Sequence, residues 1–277
     1  MPRNNQGRLD NKPETGAEAP TQNANALLNF VTPTEFVELP TKGMFYPPNH
    51  PLRGEETVEI KFMTAKETDL LTSKTLLKKG VAIDRMIESV LVDKSIKVRD
   101  LFIGDKNAIL VAARISGFGA SYDANITCKN CGAVCEQHFN LEEVNKKEVS
   151  EDIEFTDNGT FFVKLPKSGI RAECKLMTGS DEDFLMKKVE KKRKLKLPET
   201  LLTDQLKLII VSLEGVTERG PVENFVDVMP AMDSTHLRKE YERVKPDIDM
   251  SYFFECESCE ASNTVSIPFS TNFFWPE

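Results

Sequence analysis

Four cysteines in two C-x-x-C pairs constrain this chain more than any other feature. Cys128 and Cys131 form the first pair, and Cys256 and Cys259 form the second. Two thiolates on one tight turn can hold a metal ion, and a second such turn completes a tetrahedral zinc site that has no open position for a substrate. An apolar residue precedes each pair and an alternating strand pattern follows it, as in a zinc-ribbon hairpin. The sequence therefore predicts one structural zinc ion bound by these four thiols.

Two pairs of free thiols, or a redox-active C-x-x-C motif, are the alternatives to zinc. A redox motif needs a thiol of lowered pKa at a helix N-terminus, whereas both pairs here precede strand patterns. Cys135 and His138 lie close to the first pair in sequence. Either could replace a ligand, but we expect both to be bystanders because four better-spaced thiols are present. Cys174 lies in an apolar strand pattern and is expected to be a small core residue.

Composition limits the class of protein. The chain has 277 residues, of which 40% are apolar and 29% charged, as in an ordinary globular protein. It contains no apolar run of about 18 residues, and its first residues lack the apolar core of a secretory signal. The net charge of −8 disfavours binding to nucleic acid or to anionic lipid. We expect a cytoplasmic protein without a membrane segment, in a reducing compartment that keeps thiolates available for metal, with other proteins as its partners.

Three collinear matches indicate an internal repeat. FVELPTKG at 36–43 matches FVKLPKSG at 162–169, EIKFMTAKETDLL at 59–71 matches ECKLMTGSDEDFL at 173–185, and each half ends on a C-x-x-C pair. The sequence therefore predicts a tandem duplication of a small α+β unit, at about 34–144 and 155–272, with the zinc site joining the copies. The alternative is that both halves share only a common pattern of a turn followed by a capped helix. Residues 1–27 are polar and predict a disordered arm.

Local patterns place the elements of this α+β fold. Strands are predicted at 58–62 and 170–176. Thr64 with Glu67 three residues later has the spacing of a helix capping box, and Thr178 or Ser180 can cap the corresponding helix of the second half. Further helices are predicted near 82–92, 105–116, 200–213 and 233–244.

A basic run at 187–196 raises the hypothesis of nucleic-acid binding, because zinc ribbons occur in transcription proteins. The run contains no aromatic residue to stack on bases and belongs to an acidic chain. A solvated helix face, or a patch for an acidic partner, is the preferred interpretation. A zinc-ribbon protein of the transcription type is kept as the alternative function.

The histidines, His50, His138 and His236, form no recognisable catalytic motif, and we predict that the chain is not an enzyme.

The chain ends in an aromatic segment at 273–277. Phe273, Phe274 and Trp275 are too apolar for a free tail. Two interpretations stay open: these rings pack on the chain's own core, or they form a partner-binding site on another protein.

Several longer segments resemble a known family. They are FVELPTKGMFY at 36–46, LFIGDKNAILVAARISGFGASY at 101–122, LMTGSDEDFL at 176–185 and SYFFECESC at 251–259, followed by IPF and FFWP. These segments are similar to the baseplate hub and hub-assembly proteins of T-even-type contractile-tailed bacteriophages, and the resemblance covers nearly all of the chain from about residue 34.

The resemblance implies a structural or assembly role at the centre of a phage tail baseplate. The implied partners are other hub or tail proteins, and neither nucleic acid nor a membrane is expected among them. The implied location is the host cytoplasm during assembly, or the tail of the virion. The resemblance leaves open whether the chain stays in the particle, and the oligomeric state is not predicted.

Overall fold

The fold is of the α+β class, as the sequence predicts, because small antiparallel sheets alternate with helices. The computed structural model describes residues 31–147, 149, 153–267, 269 and 273–274. The predicted arm at 1–27 and Trp275 lie outside these residues. Among the helices that are described, none has both the length and the apolar character needed to cross a lipid bilayer.

The first half of the chain begins and ends with a β-hairpin. Strands β1 and β2 form the first hairpin, and β3 and β4 form the second. Four helices and a short 3₁₀ turn, Val98–Asp100, lie between them. The elements are β1 (Thr34–Glu38), β2 (Thr57–Lys61), α1 (Ala65–Thr72), α2 (Lys74–Lys78), α3 (Ala82–Val90), α4 (Ile103–Phe118), β3 (Ser121–Thr127), β4 (Val134–Asn140) and, after a 3₁₀ turn at Leu141–Glu143, β5 (Asn145–Lys147).

The second half also begins and ends with a β-hairpin, with four helices and two further strands between the hairpins. A hairpin of β6 and β7 opens it, β8 joins the free side of β7, and a hairpin of β10 and β11 closes it. The elements are β6 (Thr160–Lys164), β7 (Arg171–Lys175), α5 (Gly179–Lys194), α6 (Leu201–Ile209), β8 (Ile210–Leu213), α7 (Arg219–Val228), α8 (Ala231–Val244), β9 (Asp247–Asp249), β10 (Ser251–Glu255) and β11 (Ser262–Ser266).

The predicted strands and the helices α3, α4 and α8 are confirmed within a few residues. The helix predicted at 200–213 is wrong in its last turn, since the chain leaves the helix after Ile209 and Ile210–Leu213 becomes β8. The apolar stretch there pairs with β7, and sheet pairing outweighs helix periodicity. Helix α7 is not among the predicted helices. Pro221 lies in the first turn of α7, where a missing N–H removes no helical hydrogen bond.

The predicted capping box at Thr64 is confirmed, and of the two residues predicted to cap the corresponding helix, Thr178 is the cap and forms a capping box of its own. The N–H of Thr64 donates to Glu67 Oε2 at 2.9 Å at the start of α1. The N–H of Thr178 donates to Asp181 Oδ2 at 3.0 Å at the start of α5, and the N–H of Asp181 donates to Thr178 Oγ1 in return. Each box partners N–H groups that a helix N-terminus leaves unpaired. The two halves therefore begin their first helix with the same device.

One apolar core contains residues of both halves. Ile60, Ile109, Leu165 and Ile210, for example, are all fully buried within it. The halves are also joined through the backbone, because β5, which follows the hairpin β3–β4, pairs with β9, which precedes the hairpin β10–β11. Gly104 permits a close approach between the halves, since a Cβ at this position would lie 2.2 Å from the carbonyl oxygen of Pro246.

A buried aspartate binds the turn that follows the Leu-Pro sequence of each half, Leu39-Pro40 in the first and Leu165-Pro166 in the second. In the first half, Asp105 of α4 accepts hydrogen bonds from Thr41 N at 3.0 Å and from Thr41 Oγ1 at 2.6 Å. In the second half, Asp233 of α8 accepts from Lys167 N at 2.6 Å and Ser168 N at 2.9 Å. Both carboxylates belong to the third residue of their helix and are fully buried. The two halves therefore share this contact between a helix and a turn.

Candidate metal centre

Each C-x-x-C pair lies in the turn of an antiparallel hairpin. In the turn between β3 and β4, Cys128 N donates to Ala133 O at 2.8 Å and Gly132 N donates to Cys128 O at 3.0 Å. The turn between β10 and β11 repeats this pattern, with Cys256 N donating to Ala261 O at 3.1 Å and Glu260 N donating to Cys256 O at 2.8 Å.

The two turns also share a left-handed backbone residue immediately after the second cysteine. Gly132 has a φ of 75° and Glu260 has a φ of 55°. A glycine adopts this conformation without strain, whereas a glutamate does so at some cost. That the second turn keeps the same shape without a glycine indicates that the shape itself is needed to present its two thiols.

The structure brings all four predicted ligands together. The Sγ atoms of Cys128, Cys131, Cys256 and Cys259 all lie within 4.8 Å of one another. Cys128 Sγ lies 3.8 Å from Cys259 Sγ, and Cys131 Sγ lies 3.7 Å from Cys256 Sγ. With Zn–S bonds of about 2.3 Å, neighbouring sulfurs of a tetrahedral site lie about 3.8 Å apart. A disulfide would need a separation of about 2.05 Å. The spacing therefore fits four sulfurs around one ion and does not fit disulfide bonds.

Backbone N–H groups near the thiols favour their ionised form. Hydrogen bonds from the backbone of Cys131 and Asn130 lower the pKa of Cys128. The Ser258 amide is the largest influence on Cys256 and, with other hydrogen bonds, lowers its pKa to about 6. Thiolates are the form of cysteine that binds metal. One member of each pair is therefore stabilised as a ligand by its own turn.

Cys131 shows the effect of the neighbouring sulfurs on ionisation. The Ala133 amide lowers the pKa of Cys131, but the neighbouring sulfurs of Cys259 and Cys256 oppose this and raise the pKa to about 12. Four closely spaced thiols cannot all ionise unless a positive charge compensates for their repulsion. A divalent ion supplies that charge, so the donor set fits zinc in its four-thiolate, structural form.

A small apolar cluster surrounds the sulfurs and is distinct from the main core. Its buried members are Cys128, Cys135, Phe254 and Cys256, and Ile126 and Val265 pack against them. Cys131, in contrast, is exposed. The centre therefore has one side closed by strand residues and one side near solvent. Among the residues that the structure describes, these four cysteines form the one group of three or more side chains placed to hold a metal ion.

Cys135 lies closer to the centre than expected for a bystander. Its Sγ is 3.6 Å from Cys256 Sγ and is buried, although Cys135 is not part of the mutually close set of four. The pairing of β3 with β4 places Cys135 opposite Ile126, on the side of the hairpin that faces the cluster. The alternation of buried residues at Cys135 and Phe139 was the available signal. Cys174, as predicted, is a fully buried core residue.

None of the histidines joins the cysteine cluster. His138 is exposed, and its Nδ1 lies 2.7 Å from Asp123 Oδ1, so it pairs with a carboxylate on the neighbouring strand. His50 stacks on Tyr46 with ring centroids 4.2 Å apart. His138 is therefore a bystander, as the sequence predicts.

The C-terminal aromatic segment packs on the chain itself. Phe273 and Phe274 are buried in the main core. Arg114 Nε donates to Phe273 O at 3.2 Å, and the rings of Tyr122 and Phe273 lie 5.6 Å apart. The partner-binding interpretation is thus wrong for these two side chains, because a core position satisfies their apolar surface. Trp275 lies outside the described residues, so its predicted role in partner binding stays a prediction.

Together, the fold and the centre define an α+β protein in which two hairpins bring together four cysteine sulfurs that could hold a metal ion. The family model described as T4 bacteriophage base plate protein matches residues 35–275. The chain therefore belongs to this family of baseplate proteins. Neither the curated proteins nor the solved structures contain a match to the chain. The baseplate part of the resemblance in sequence is confirmed.

Proposed function

We propose that this chain is a non-enzymatic structural or assembly component of the baseplate hub, which acts through protein contacts on a zinc-stabilised scaffold. The observation that carries the proposal is that a baseplate-family chain brings four thiols from two distant hairpins within 4.8 Å of one another. Such a centre leaves no open coordination position for a substrate. Its partners are other hub or tail proteins, in the host cytoplasm during assembly or in the virion tail.

In this proposal, zinc links two copies of one unit. The copies span about 34–144 and 155–272, and each contributes one hairpin with two thiols. The two buried aspartates, the two capping boxes and the two identical turns support the duplication, because each pair occupies corresponding places in the two halves. Cys128, Cys131, Cys256 and Cys259 are the proposed ligands, and zinc binding contributes directly to the stability of the fold.

The zinc-ribbon alternative of the transcription type gains no support from the family match. It also conflicts with the acidity of the chain, whose net charge is −8.

Infection provides the test. A phage carrying Cys256→Ser should accumulate few complete baseplates, as counted by electron microscopy, whereas a phage carrying Cys135→Ser should assemble normally. Mass spectrometry of purified virions beside affinity purification from infected cells then separates a retained hub subunit from an assembly factor. The proposal is wrong if the wild-type chain purifies with ribosomes or polymerase and without tail proteins.

A further inference from the structure

An exposed apolar tip connects helices α5 and α6. It consists of Leu195, Leu197, Leu201 and Leu202, whose exposed fractions range from 39% to 59%. A single exposed leucine on a protein surface needs no explanation. Four within eight residues form a concentrated apolar feature, and exposed apolar patches of this kind mark interaction sites.

The basic run on α5 divides into two groups, and the first group faces the neighbouring helix. Lys188 Nζ lies 2.8 Å from Asp204 Oδ1, and Lys192 Nζ lies 2.6 Å from Asp204 Oδ2. Asp204 belongs to α6 and is buried. These two lysines therefore fasten α5 to α6 and hold the tip in place, so part of the basic run is structural.

The second group points into solvent. Lys187, Lys191 and Lys196 are exposed, and within the described part of the chain none has a carboxylate within 4.0 Å. Arg193 and Lys194 pair with Glu199 and Glu190, but these pairs are on the surface and contribute little. The tip is therefore flanked by positive charge in a chain whose net charge is −8.

The backbone of the tip has an unusual residue at its bend. Lys196 has a φ of 54°, and its N–H donates to Arg193 O while Leu197 N donates to Lys192 O, which ends α5. A glycine takes the corresponding position with positive φ after α2, at Gly80. A non-glycine residue there costs about 1 kcal/mol. The chain thus accepts strain at this bend while placing a charged side chain among the exposed leucines.

We propose that the apolar tip and its three free lysines dock into an acidic surface with an apolar slot on another baseplate protein. Charge complementarity supports this occupant, since a cationic tip on an acidic chain suits an acidic partner. A nucleic acid is disfavoured because residues 187–202 contain no aromatic side chain for base stacking. This inference rests on the proposed baseplate function and adds the chemistry of one partner to it.

A photo-crosslinking amino acid, p-benzoylphenylalanine, placed at position 197 tests the proposal in infected cells. We expect a crosslink to a baseplate protein, mapped by mass spectrometry to a segment rich in Asp and Glu. The triple variant Lys187→Glu, Lys191→Glu, Lys196→Glu should reduce the crosslink yield by about tenfold or more, as removal of several interface contacts does. The triple variant Lys74→Glu, Lys78→Glu, Lys79→Glu, which has the same net charge, should leave the yield unchanged.

Both triple variants should retain the circular dichroism and the zinc content of the wild-type protein, which excludes misfolding as the cause. A crosslink to lipid, the absence of a protein crosslink, or equal yields from the two triple variants would overturn the proposed docking surface. Co-purification of the wild-type chain with tail proteins tests the hub function separately. If the docking surface is wrong but the wild-type chain still co-purifies with tail proteins, the hub function stands. If the wild-type chain does not co-purify with tail proteins, the hub function itself is wrong.

Discussion

The two halves of this protein fasten the same turn with the same residue in different surroundings. Asp105 accepts from Thr41 and from the Tyr46 hydroxyl, and both of these partners are buried. Asp233 accepts from the amides of Lys167 and Ser168, which are exposed residues. The first carboxylate therefore lies deep in the protein, whereas the second lies beneath a surface turn.

The surroundings change the protonation of the two carboxylates in opposite directions. Burial raises the pKa of Asp105 to about 6, even though its hydrogen bonds to Thr41 and Tyr46 favour the charged form. Burial also opposes ionisation of Asp233, but the hydrogen bonds from Lys167 and Ser168 outweigh it and lower the pKa. The comparison shows that a repeated contact can keep its geometry while its energetics diverge.

The candidate metal centre combines two thiols from each half, so its disruption should have the largest effect. Replacing Cys256 with Ser removes one thiolate of four and leaves the other three crowded without their ion. We expect the melting temperature to fall by about 10 °C or more, because structural zinc contributes its binding energy to folding.

Differential scanning calorimetry with zinc analysis checks this expectation. Cys135→Ser is the matched control, since Cys135 adjoins the cluster without belonging to the set of four. An equal loss of zinc in both variants would indicate that Cys135 is a zinc ligand. The two hairpins would then not contribute equivalent ligands.

Removal of the buried carboxylate should matter more in the first half than in the second. Asp105→Ala leaves the Thr41 N–H, the Thr41 hydroxyl and the Tyr46 hydroxyl without their partner in the interior. The free energy of unfolding should fall by about 3 kcal/mol or more, given at least about 1 kcal/mol for each of the three unsatisfied buried groups. Asp233→Ala should lower it by only about 1–2 kcal/mol, because water can reach the exposed turn. Urea unfolding of both variants shows which loss of unfolding free energy is larger. Equal losses would contradict the claim that the first carboxylate lies deeper in the protein than the second.

The raised pKa of Asp105 predicts a pH dependence of stability in the mildly acidic range. Because folding raises this pKa from 3.8 to about 6, the folded protein retains a proton that the unfolded chain has released between these two values. The free energy of unfolding should therefore fall as pH rises from about 4 to about 6, by at most about 3 kcal/mol. The slope attributable to this residue should disappear in Asp105→Asn, measured by urea unfolding at each pH. A slope unchanged by that substitution would assign the pH dependence to other groups.

The capping boxes should give the smallest difference between the halves. Thr64→Ala and Thr178→Ala each remove a helix cap, and each should lower the free energy of unfolding by about 1 kcal/mol. The loss at Thr64 should be the larger of the two, since Glu67 of its box is buried and also accepts from Ser89 Oγ at 2.5 Å. A larger loss at Thr178 would indicate that the hydrogen bond between Glu67 and Ser89 of α3 adds no stability to the capping box at Thr64.

Much of this arrangement could be predicted from the sequence because its signals are local. The C-x-x-C spacing, the Thr-x-x-Glu box and the alternating strand patterns each lie within a few residues, and the structure confirms the elements that they predict. The approach of the two C-x-x-C pairs to each other was also predictable, since four thiols complete the coordination of one zinc ion. The repeat in sequence pointed to equivalent places in the two halves.

The features that the sequence did not reveal depend on contacts across the chain. β8 forms because Ile210–Leu213 can pair with the open edge of β7. No local sequence pattern indicates that this edge is available. Asp105 and Asp233 appear in the sequence as acids near helix starts, and only the folded turns show that they are buried acceptors. The burial of Phe273 depends on Arg114 and Tyr122, which lie far away in sequence.

X-ray absorption spectroscopy of the purified full-length chain, together with its metal content, tests the central claim most directly. We expect one zinc ion per chain, coordinated by four sulfur atoms at about 2.3 Å, with loss of that signal in Cys256→Ser. Zinc bound mainly by nitrogen or oxygen, or a well-folded chain that retains its melting temperature without metal, would contradict the claim that a four-thiolate zinc ion joins the two halves.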